Sequence, residues 1–269
     1  MQQVAIITGG NAGLGFECAK RALIAGYKVV LACRSELKGA NAREELLTLF
    51  PGAKISVEQL DLSDLDSALA FAEKFDSNWD LLINNAGAKI ESPKKLTAQG
   101  HEWHIGVNHL GHFALTGALM PKANLSASVV TVSSIVARNG RLIISPIESF
   151  NERQAYADSK LMNYVFAREL AKRLEGTGRK SIAAHPGFAR ASAYGNSIIR
   201  ASEYAFAHSA KAGSDSIWAA TDASNGDYLG PKYFELWGKA GQAKKPVVED
   251  SAVKAFWKQS EALTGVRFV

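Results

Sequence analysis

The sequence predicts an α/β fold in which a doubly wound parallel sheet carries helices on both faces. Three observations support this prediction. Short apolar runs that are typical of buried strands alternate with segments whose apolar residues recur at helical spacing. A glycine-rich turn at residues 8–15 joins the first apolar run to the first helical segment. No linker divides the 269 residues, so we expect a single domain over residues 1–269.

The composition is that of an ordinary folded globule, with 47% hydrophobic and 21% charged residues, which argues against disorder. The net charge of +5 is mild and Lys and Arg are scattered, so we predict no nucleic-acid partner. Cys18 and Cys33 form no CxxC motif and are too few for a disulfide framework, which indicates free thiols in a reducing compartment. The first strand begins at Val4, and no apolar run approaches the ~20 residues of a membrane span. We therefore expect a cytoplasmic protein without a membrane partner.

The glycine-rich turn contains Gly9, Gly13 and Gly15 and leads into a helical pattern over residues 14–25. The free N–H groups at the start of such a helix favour a bound pyrophosphate, because the helix dipole makes that end positive. One glycine of such a turn allows a positive φ, one lets the backbone approach phosphate and one lets helix and strand pack closely. The spacing is neither that of the common GxGxxG motif nor that of a P-loop. By itself, the turn is equally compatible with an ordinary strand–helix connection.

The second strand pattern, residues 27–32, completes a right-handed βαβ unit whose strands lie in one parallel sheet. Dinucleotide folds that prefer NAD place an Asp or Glu at the end of this strand, whereas this chain has Cys33 and Arg34. A carboxylate would repel a 2′-phosphate, and a guanidinium can bind one with two hydrogen bonds. Arg34 therefore favours NADP(H) over NAD(H) as the cofactor. The alternative is an ordinary surface arginine that starts a loop, and nearby Glu36 counts against a phosphate site.

The chain continues with helical patterns at about residues 36–50 and 64–75 and with strand patterns at residues 55–58 and 80–83. Asp61 follows the third strand, where it either caps the next helix or accepts a hydrogen bond from an adenine amino group. The fourth strand is followed by Asn84, Asn85, Ala86 and Gly87. Small and amide side chains there can admit a planar cofactor and tie neighbouring strands together, although a plain turn explains them equally well.

Residues 97–120 predict one long helix, or two abutting helices, containing Asn108. The histidines of this segment are His101, His104, His109 and His112. Pairs three residues apart share a helix face, but without an HExxH motif or a run of carboxylates we predict packing or surface roles and no metal. Asn108 is unusual in an apolar helix, because an unpaired buried amide costs ~1–3 kcal/mol. It either bonds a helix carbonyl or kinks the helix and holds a water.

The fifth strand pattern, residues 129–132, ends in two serines, and residues 156–174 predict a long helix. Tyr156 and Lys160 lie four residues apart and therefore project from one face of that helix. A neighbouring ammonium stabilises a phenolate. Lowering the phenol pKa of ~10 by ~3 units corresponds to ~4 kcal/mol, which would suit Tyr156 to acid/base work at neutral pH. The alternative is a Tyr-x-x-x-Lys pair that merely decorates the surface.

Together these motifs resemble the short-chain dehydrogenase/reductase family, and they occur in the order of that family. The landmarks are Thr8-Gly9-x-x-x-Gly13-x-Gly15, Asn84-Asn85-Ala86-Gly87, Asn108, Ser134, Tyr156-x-x-x-Lys160 and Pro186-Gly187. Residues 107–113, 185–187 and 257–266 are similar to the retinol dehydrogenase and protochlorophyllide reductase branch. The resemblance implies a single Rossmann-type sheet in the order 3-2-1-4-5-6-7, with a substrate-loop region inserted at about residues 188–212.

The resemblance also implies which residues act. Tyr156 is then the acid/base, giving its proton to a carbonyl oxygen or taking one from an alcohol. Lys160 lowers the pKa of this tyrosine and binds the nicotinamide ribose. Ser134 stabilises the developing oxyanion, and Asn108 holds a water that links Lys160 to solvent.

The implied NADP(H) site runs along the same edge of the sheet. Arg34 matches the NADP(H)-preferring position of the branch, and Asp61 matches its adenine contact. Tyr156 and Lys160 also contact the cofactor. The remaining implied contacts are Gly9, Asn11, Gly13, Leu14, Gly15, Leu62, Asn85, Ala86, Gly87, Pro186, Gly187 and Phe188.

Two features depart from the family pattern. Ala191 stands where the family commonly has a Thr that contacts the carboxamide, and Ser192 could substitute for it. The segment before Tyr156 is longer than in compact members, so we expect residues 138–153 to form an extra loop over the substrate. If that loop changes the register, Ser133 could replace the following serine in the catalytic role.

The sequence thus favours an oxidoreductase that transfers hydride between NADP(H) and the carbonyl or alcohol carbon of a fairly apolar small molecule. Candidate walls of the substrate site are Ile135, Phe150, Phe188, Tyr194 and Ile198. The alternatives are a non-catalytic NADP(H)-binding sensor or scaffold and a C=C reductase of the protochlorophyllide reductase type, which has a cysteine where this chain has Phe188. The resemblance also implies a homodimer or homotetramer that pairs through the helix beginning near Tyr156.

Overall fold

The computed structural model of the chain describes residues 2–89, 94–144, 151–187, 209–233 and 237–268. Several residues named above lie outside the described residues, namely Phe150, Phe188, Ala191, Ser192, Tyr194 and Ile198. The expected loop regions 138–153 and 188–212 are described only at residues 138–144, 151–153 and 209–212.

A single sheet of eight strands organises the described part of the chain. Its strands are β1 (Val4–Thr8), β2 (Lys28–Cys33), β3 (Ile55–Gln59), β4 (Trp79–Asn84), β5 (Ala123–Val132), β6 (Lys180–Ala184), β7 (Tyr228–Tyr233) and β8 (Trp237–Gln242). The order β3-β2-β1-β4-β5-β6-β7-β8 confirms the order expected for the first seven strands. Those seven pair in parallel, whereas β8 pairs antiparallel to β7.

β8 is an element that the sequence did not indicate. Its residues read Trp-Gly-Lys-Ala-Gly-Gln, so two glycines and two polar side chains interrupt any apolar run. Antiparallel pairing needs only a short connection to the preceding strand, whereas a further parallel strand needs a crossover. β8 therefore adds an antiparallel edge to the sheet.

Helices cover both faces of the sheet. They are α1 (Gly13–Ile24), α2 (Glu36–Leu49), α3 (Leu65–Lys74), α4 (Trp103–Ile105), α5 (Gly111–Leu119), α6 (Glu152–Arg173), α7 (Ala210–Ala219) and α8 (Asp250–Thr264). Alternate residues of β1 point to opposite faces: Ile6 packs with residues of α3, α5, α6 and α8, and Ile7 packs with residues of α1, α2 and α7. The predicted doubly wound architecture is therefore confirmed. Within the described ranges, no helix is both long and apolar enough to cross a membrane.

The helix predicted over residues 97–120 begins only at Trp103. The preceding turn contains Gly100, whose φ of 79° lies in the left-handed region that favours glycine. Glu102 caps the helix, because its carboxylate accepts hydrogen bonds from two backbone N–H groups of the first turn. The predicted start at residue 97 is therefore wrong, since apolar spacing does not reveal the turn and the cap that precede a helix.

The same helical segment changes its winding midway. Gly106–Leu110 forms a π-helical turn between α4 and α5, and Asn108 lies within it. Such turns hold one extra residue in the helical ladder and are frequent at functional sites. The long segment is therefore two abutting helices, and its irregularity falls at Asn108, where a kink was one of the two expectations.

Two elements start earlier than predicted. β5 begins at Ala123 rather than at residue 129, and α6 begins at Glu152 rather than at residue 156. Asn151 caps α6 by accepting a hydrogen bond from the backbone N–H of Gln154. Tyr156 consequently lies in the second turn of α6, with helical residues before and after it in the chain.

α8 and the residues that follow it cover α5 and α6. Trp257 stacks on Phe166 with ring centroids 5.9 Å apart, and Phe268 lies edge-on to Phe113 at 4.9 Å. Most of the 22 residues of α6 are buried within the chain. The helix that carries Tyr156 and Lys160 is therefore fixed from several sides.

The cysteines Cys18 and Cys33 are free, as their number and spacing predicted, and both are buried. Burial raises the pKa of Cys18 to about 12. Burial also raises the pKa of Cys33 to about 11, against the opposing effect of hydrogen bonds from the backbone of Asn11 and Gly10. Both thiols stay protonated at neutral pH, which is typical of structural cysteines.

Candidate active site

The predicted site residues converge at the carboxyl edge of the sheet. β1, β4 and β5 are adjacent and parallel, so their carboxyl ends reach the same edge. The glycine turn follows β1, residues 85–87 follow β4, and Ser134 lies just beyond β5. A hydrogen bond from Lys160 of α6 to the last residue of β5, Val132, brings α6 to this edge as well.

The turn between β1 and α1 fits a phosphate group. Gly9 and Gly13 have left-handed φ angles of 65° and 55°, which favour glycine. A Cβ atom at Gly15 would overlap the carbonyl oxygen of Gly9, whereas one at Gly13 would meet nothing within 4 Å. Asn11 and Leu14, the other predicted contacts in this turn, are half-buried. The turn is thus closely packed on its inner side and presents bare backbone on its outer side.

The N-terminus of α1 carries no competing negative charge. Ala12 occupies the N-cap position and provides no side-chain cap, and the first turn contains no Asp or Glu. The first N–H groups of a helix have no partner within the helix, and they favour an anion. These residues therefore fit the pyrophosphate of a dinucleotide.

Thr8, the last residue of β1, connects the turn to two neighbouring segments. Its buried hydroxyl accepts hydrogen bonds from the backbone N–H groups of Asn85 (2.9 Å) and Ala86 (3.0 Å). The same hydroxyl donates to Nε2 of His112 at 2.9 Å. Asn85 donates from its side-chain amide to the carbonyl oxygen of Thr8 at 2.8 Å, which is the predicted tie between neighbouring strands.

The hydrogen bonds of His112 fix its tautomer. Nδ1 lies 3.0 Å from the carbonyl oxygen of Asn108, which can only accept, so Nδ1 carries the hydrogen and Nε2 accepts from Thr8. Burial lowers the pKa of His112 to about 4, although the hydrogen bond to Asn108 acts in the opposite direction. The neutral imidazole therefore bridges the π-helical turn and the glycine turn.

We expect Thr8→Val to lower the free energy of unfolding by about 2–3 kcal/mol, because it leaves the N–H of Ala86 and Nε2 of His112 without the hydroxyl they bond. The N–H of Asn85 keeps the carbonyl oxygen of Ile83 at 3.0 Å. The side chain keeps its shape, so the loss reports hydrogen bonding rather than packing. Chemical denaturation of both proteins measures it. Thr48→Val is the matched control, since Thr48 is exposed and its hydroxyl bonds only within α2. Equal destabilisation by the two substitutions would contradict the role given to Thr8.

Asn108 is fully buried, and its side chain is held from two sides. Oδ1 accepts the N–H of Ala88 at 2.6 Å, and Nδ2 donates to Oγ of Ser159 on α6 at 2.9 Å. A Cβ atom at Gly87 would lie 2.9 Å from Oδ1, so only glycine fits there without displacement. Asn108 therefore fixes the segment after β4 against α6. Its role in holding a water stays a prediction.

Tyr156 and Lys160 lie side by side on α6, as their spacing predicts. Lys160 Nζ is 5.7 Å from the centroid of the Tyr156 ring and donates to the carbonyl oxygen of Val132 at 3.1 Å. Lys160 is only 5% exposed, and this burial lowers its pKa from 10.5 to about 8. Tyr156 is half-buried, so part of it remains accessible.

The structure distinguishes the two serines that follow β5. Ser133 is buried and its Oγ donates to the backbone carbonyl of Lys160 at 2.7 Å, which gives it a role in packing α6. Ser134 is half-buried and caps the short 3-10 turn Ile135–Asn139 by accepting from the N–H of Val136. Ser134 is therefore the more accessible of the two serines. Its role towards a substrate stays a prediction, as does the alternative of Ser133.

Arg34 is exposed at the start of α2. It follows Cys33, which is buried at the end of β2. Ser35 caps α2, and its Oγ lies 3.4 Å from the N–H of Lys38. Arg34 thus directly precedes the N-cap of α2, and a guanidinium and a helix N-terminus both favour phosphate. Glu36 is also exposed there, in the first turn of the helix.

Asp61 uses one carboxylate oxygen in a local turn. Its Oδ1 accepts hydrogen bonds from the N–H (2.9 Å) and the hydroxyl (2.6 Å) of Ser63. The N-cap of α3 is Asp64, so the interpretation of Asp61 as that cap is wrong. The neighbouring Leu62 is buried and belongs to the core.

Pro186 and Gly187 follow β6 and are half-buried. Gly187 has a φ of 69° and its N–H donates to Nδ1 of His185 at 3.2 Å. The two residues therefore lie at the same sheet edge as the glycine turn, at the end of β6, which is the strand next to β5. The next predicted contact, Phe188, lies outside the described residues.

The other histidines of the long helical segment make separate contacts. His109 lies in the aromatic cluster under α8 and hydrogen-bonds Ser260 at 2.9 Å, and burial lowers its pKa to about 3. His104 pairs with Glu102, whereas His101 is half-buried. The described residues contain no group of three or more His, Cys, Asp or Glu side chains that could hold a metal ion.

Sequence reasoning missed the contacts of His112 and of Glu102. A usable signal exists for His112, because it follows Asn108 by four residues and so shares its helix face. Glu102 carries a weaker signal, since helix caps are usually Ser, Thr, Asp or Asn.

Comparison with known proteins agrees with this geometry. The family described as short chain dehydrogenase matches residues 3–199. Retinol dehydrogenase 12 of Homo sapiens is 43% identical over 196 residues, which is 70% of this chain but only 62% of that protein's length. Retinol dehydrogenase 14 of Mus musculus is 32% identical over 293 aligned positions, covering 97% of this chain and 85% of that protein. The crystal structure of an uncharacterized protein from Mycobacterium paratuberculosis has a TM-score of 0.85 at 33% identity, over 100% of this chain and 95% of that chain.

Proposed function

Because this chain belongs to the short-chain dehydrogenase/reductase family and its retinol dehydrogenase branch, we propose that it is an NADP(H)-dependent oxidoreductase of a fairly apolar small molecule. It transfers hydride between nicotinamide and a carbonyl or alcohol carbon, with Tyr156 as the acid/base. One observation carries the proposal: the buried ammonium of Lys160 lies 5.7 Å from the Tyr156 ring. The names of the relatives support an apolar substrate, because they identify retinol as the alcohol of those proteins.

The residues around Tyr156 favour proton transfer. The positive charge of Lys160 stabilises the phenolate form of Tyr156. In reduction, Tyr156 gives its hydroxyl proton to the carbonyl oxygen, and in oxidation it takes the proton of the alcohol. Ser134 donates a hydrogen bond to that oxygen as negative charge develops. When bound, the nicotinamide cofactor supplies or accepts the hydride.

The chain has a residue or helix end that would bind each part of the cofactor. The N-terminus of α1 would hold the pyrophosphate, and Arg34 the 2′-phosphate. Asp61 would meet the adenine, and Lys160 the nicotinamide ribose. Residues 85–87 leave room for the planar ring, because their side chains are small or turned back onto β1.

We expect Arg34→Ala to weaken NADPH binding by about 10–100-fold, because it removes a charge-assisted contact of ~1.5–3 kcal/mol with the 2′-phosphate. NADH lacks that phosphate, so its binding by the same two proteins is the internal control and should not change. Quenching of tryptophan fluorescence during titration gives both affinities. If the unsubstituted protein binds NADH as tightly as NADPH, the assignment of Arg34 is wrong.

Turnover tests the reaction itself. Apolar aldehydes and ketones are offered with NADPH, and the matching alcohols with NADP⁺, and absorbance of the reduced nicotinamide is followed. Tight cofactor binding without turnover across the panel would favour the sensor or scaffold. Light-dependent reduction of a pigment C=C bond would favour the protochlorophyllide reductase type. We favour an enzyme over a sensor because a sensor needs only the glycine turn. This chain also has Ser134, Tyr156 and Lys160 near the carboxyl edge of the sheet.

A cytoplasmic location and a homodimeric or homotetrameric assembly remain proposals from the sequence. The packing constrains the second of them. Trp257 and Phe268 lie against Phe166 of α6, so pairing through that side of α6 would require α8 to move. Light scattering after size-exclusion chromatography measures the assembly.

A further inference from the structure

A buried pair of ionisable side chains, His104 and Glu102, lies next to the ring of Tyr156. His104 is fully buried, and its ring is edge-on to the ring of Tyr156, with centroids 6.2 Å apart and planes at 79°. Glu102, which is 5% exposed, places Oε1 2.8 Å from Nδ1 of His104. Neither residue has a part in the reaction described above.

Both ring nitrogens of His104 face hydrogen-bond acceptors. Nε2 lies 2.7 Å from the backbone carbonyl oxygen of Lys89, and Nδ1 faces the carboxylate of Glu102. A carbonyl oxygen has no hydrogen to give, so Nε2 must carry one. Nδ1 carries a second hydrogen whenever Glu102 is ionised, and the ring is then an imidazolium.

The other contacts of Glu102 keep it ionised. Oε1 also accepts the backbone N–H of His104 at 3.0 Å, and Oε2 accepts that of Ile105 at 2.9 Å. Burial raises the pKa of Glu102, but these hydrogen bonds and the charge of His104 outweigh it, so the pKa lies below its usual range. A carboxylate at the start of a helix is further favoured by the helix dipole. With Glu102 ionised, both ring nitrogens of His104 donate hydrogen bonds, Nδ1 to this carboxylate and Nε2 to the carbonyl of Lys89.

We propose that His104 is a positioning residue for Tyr156, an imidazolium whose perpendicular ring contact fixes the phenol ring and whose charge favours its phenolate form. The inference rests on the proposed function, because it requires Tyr156 to be the acid/base. Among the described residues, the charged groups shown in contact with the phenol ring or paired beside it are Lys160 on its own helix and the pair of His104 and Glu102. Of that pair, the imidazolium is the member in ring contact with Tyr156.

The same residue also secures the rim of the site. The bond from His104 to the carbonyl of Lys89 holds the segment after β4, and Asn108 holds that segment one residue earlier through Ala88. Asn108 in turn bonds Ser159 of α6. The cofactor-side segment, the π-helical turn and α6 are thus joined around the phenol.

The charge of His104 is tested without any substrate. Nitrogen-15 NMR of the imidazole side chains, with the His104 signals assigned through His104→Gln, distinguishes an imidazolium from the two neutral tautomers. We expect the imidazolium pattern at pH 7. A neutral tautomer at that pH overturns the proposal, whether or not the protein turns over an alcohol.

The positioning role is tested through the pH profile of alcohol oxidation. We expect His104→Gln to lower kcat about tenfold at pH 7 and to move the acidic limb of the profile about one unit to higher pH, because the phenolate loses a positive neighbour. Adding Glu102→Gln removes the unpaired carboxylate, so the double variant should move back towards the parent profile. If the role is merely structural, His104→Gln lowers activity but leaves the acidic limb of the pH profile where it is in the parent. The double variant is then no more active than the single variant, and that result overturns the proposal.

Two controls separate this inference from the proposed function. His101→Gln makes the same change at a half-buried histidine in the preceding turn and should leave the profile unchanged. If Tyr156→Phe retains turnover, the proposed function fails and the positioning role fails with it. If Tyr156→Phe is inactive but His104→Gln leaves the limb unmoved, only the positioning role fails.

Discussion

We expect Tyr156→Phe to reduce turnover by about 10³-fold or more, because it removes the hydroxyl that the proposed mechanism uses to exchange a proton with the substrate. The fold should survive the change. The ring contacts with His104 and Lys160 involve the aromatic part, and the backbone carbonyl of Tyr156 still accepts from Ser159. Steady-state kinetics gives the loss, and NADPH titration of the same sample should give an unchanged affinity. A variant that folds, binds cofactor and keeps its turnover would remove the basis of the proposed mechanism.

Tyr164→Phe is the matched control for that experiment. Tyr164 lies two turns further along α6, is 3% exposed and packs against the ring of Tyr228 at 5.0 Å. Tyr164→Phe removes the same hydroxyl group from the same helix, but two turns away from Tyr156. Its turnover should stay within about twofold of the parent, since any effect has to act through stability. Equal losses in the two variants would mean that the helix, and not the Tyr156 hydroxyl, is being disturbed.

The centre of the sheet could be predicted because β1, β4 and most of β5 are buried on both faces. Such strands give continuous apolar runs, and residues of β1 and β5 show this over their whole buried length. The unpredicted β8 is an edge strand with two glycines, where pairing with β7 depends on backbone hydrogen bonds rather than on an apolar face. Local caps were missed for a related reason. Asp64 and Glu102 act through one or two side-chain contacts, which periodicity does not record.

The candidate site was predictable where its geometry is local. Tyr156 and Lys160 share a face because they are four residues apart on one helix. The bond from Thr8 to His112 joins residues 104 positions apart, and the contact of His104 with Tyr156 depends on how α4 meets α6. No spacing rule contains either contact, since both arise only when the sheet brings distant segments together.

Lys160→Met is expected to abolish most activity and yet to stabilise the protein. Turnover should fall by roughly 10²–10³-fold, because the phenolate of Tyr156 loses its neighbouring charge. The fall of the Lys160 pKa from 10.5 to about 8 corresponds to roughly 3 kcal/mol of cost for burying the ammonium. Methionine removes that cost at similar size. The carbonyl of Val132, which Lys160 bonds, keeps a partner because Asn163 donates to it at 3.0 Å.

The sign of the pH dependence identifies the cause of the stabilisation. The pKa of Lys160 is lower in the folded protein, about 8, than in the unfolded chain, 10.5. Between those values the unfolded chain holds a proton that the folded protein has lost, so the stability of the parent rises with pH there. The advantage of Lys160→Met is therefore complete below pH 8 and shrinks as the pH rises through and above it. Urea denaturation at several pH values measures this, and a constant advantage would contradict burial of charge as its source.

Lys122→Met supplies the opposite case in the same chain. Lys122 Nζ donates to the carbonyl oxygens of Ala72 (2.7 Å), Glu73 (3.2 Å) and Phe75 at the end of α3. Removing it should lower stability by about 1 kcal/mol and leave turnover intact, because a helix end loses its cation. The two lysines are therefore expected to affect stability in opposite directions. If both substitutions changed stability in the same direction, the burial cost assigned to Lys160 would be refuted even if its activity were lost.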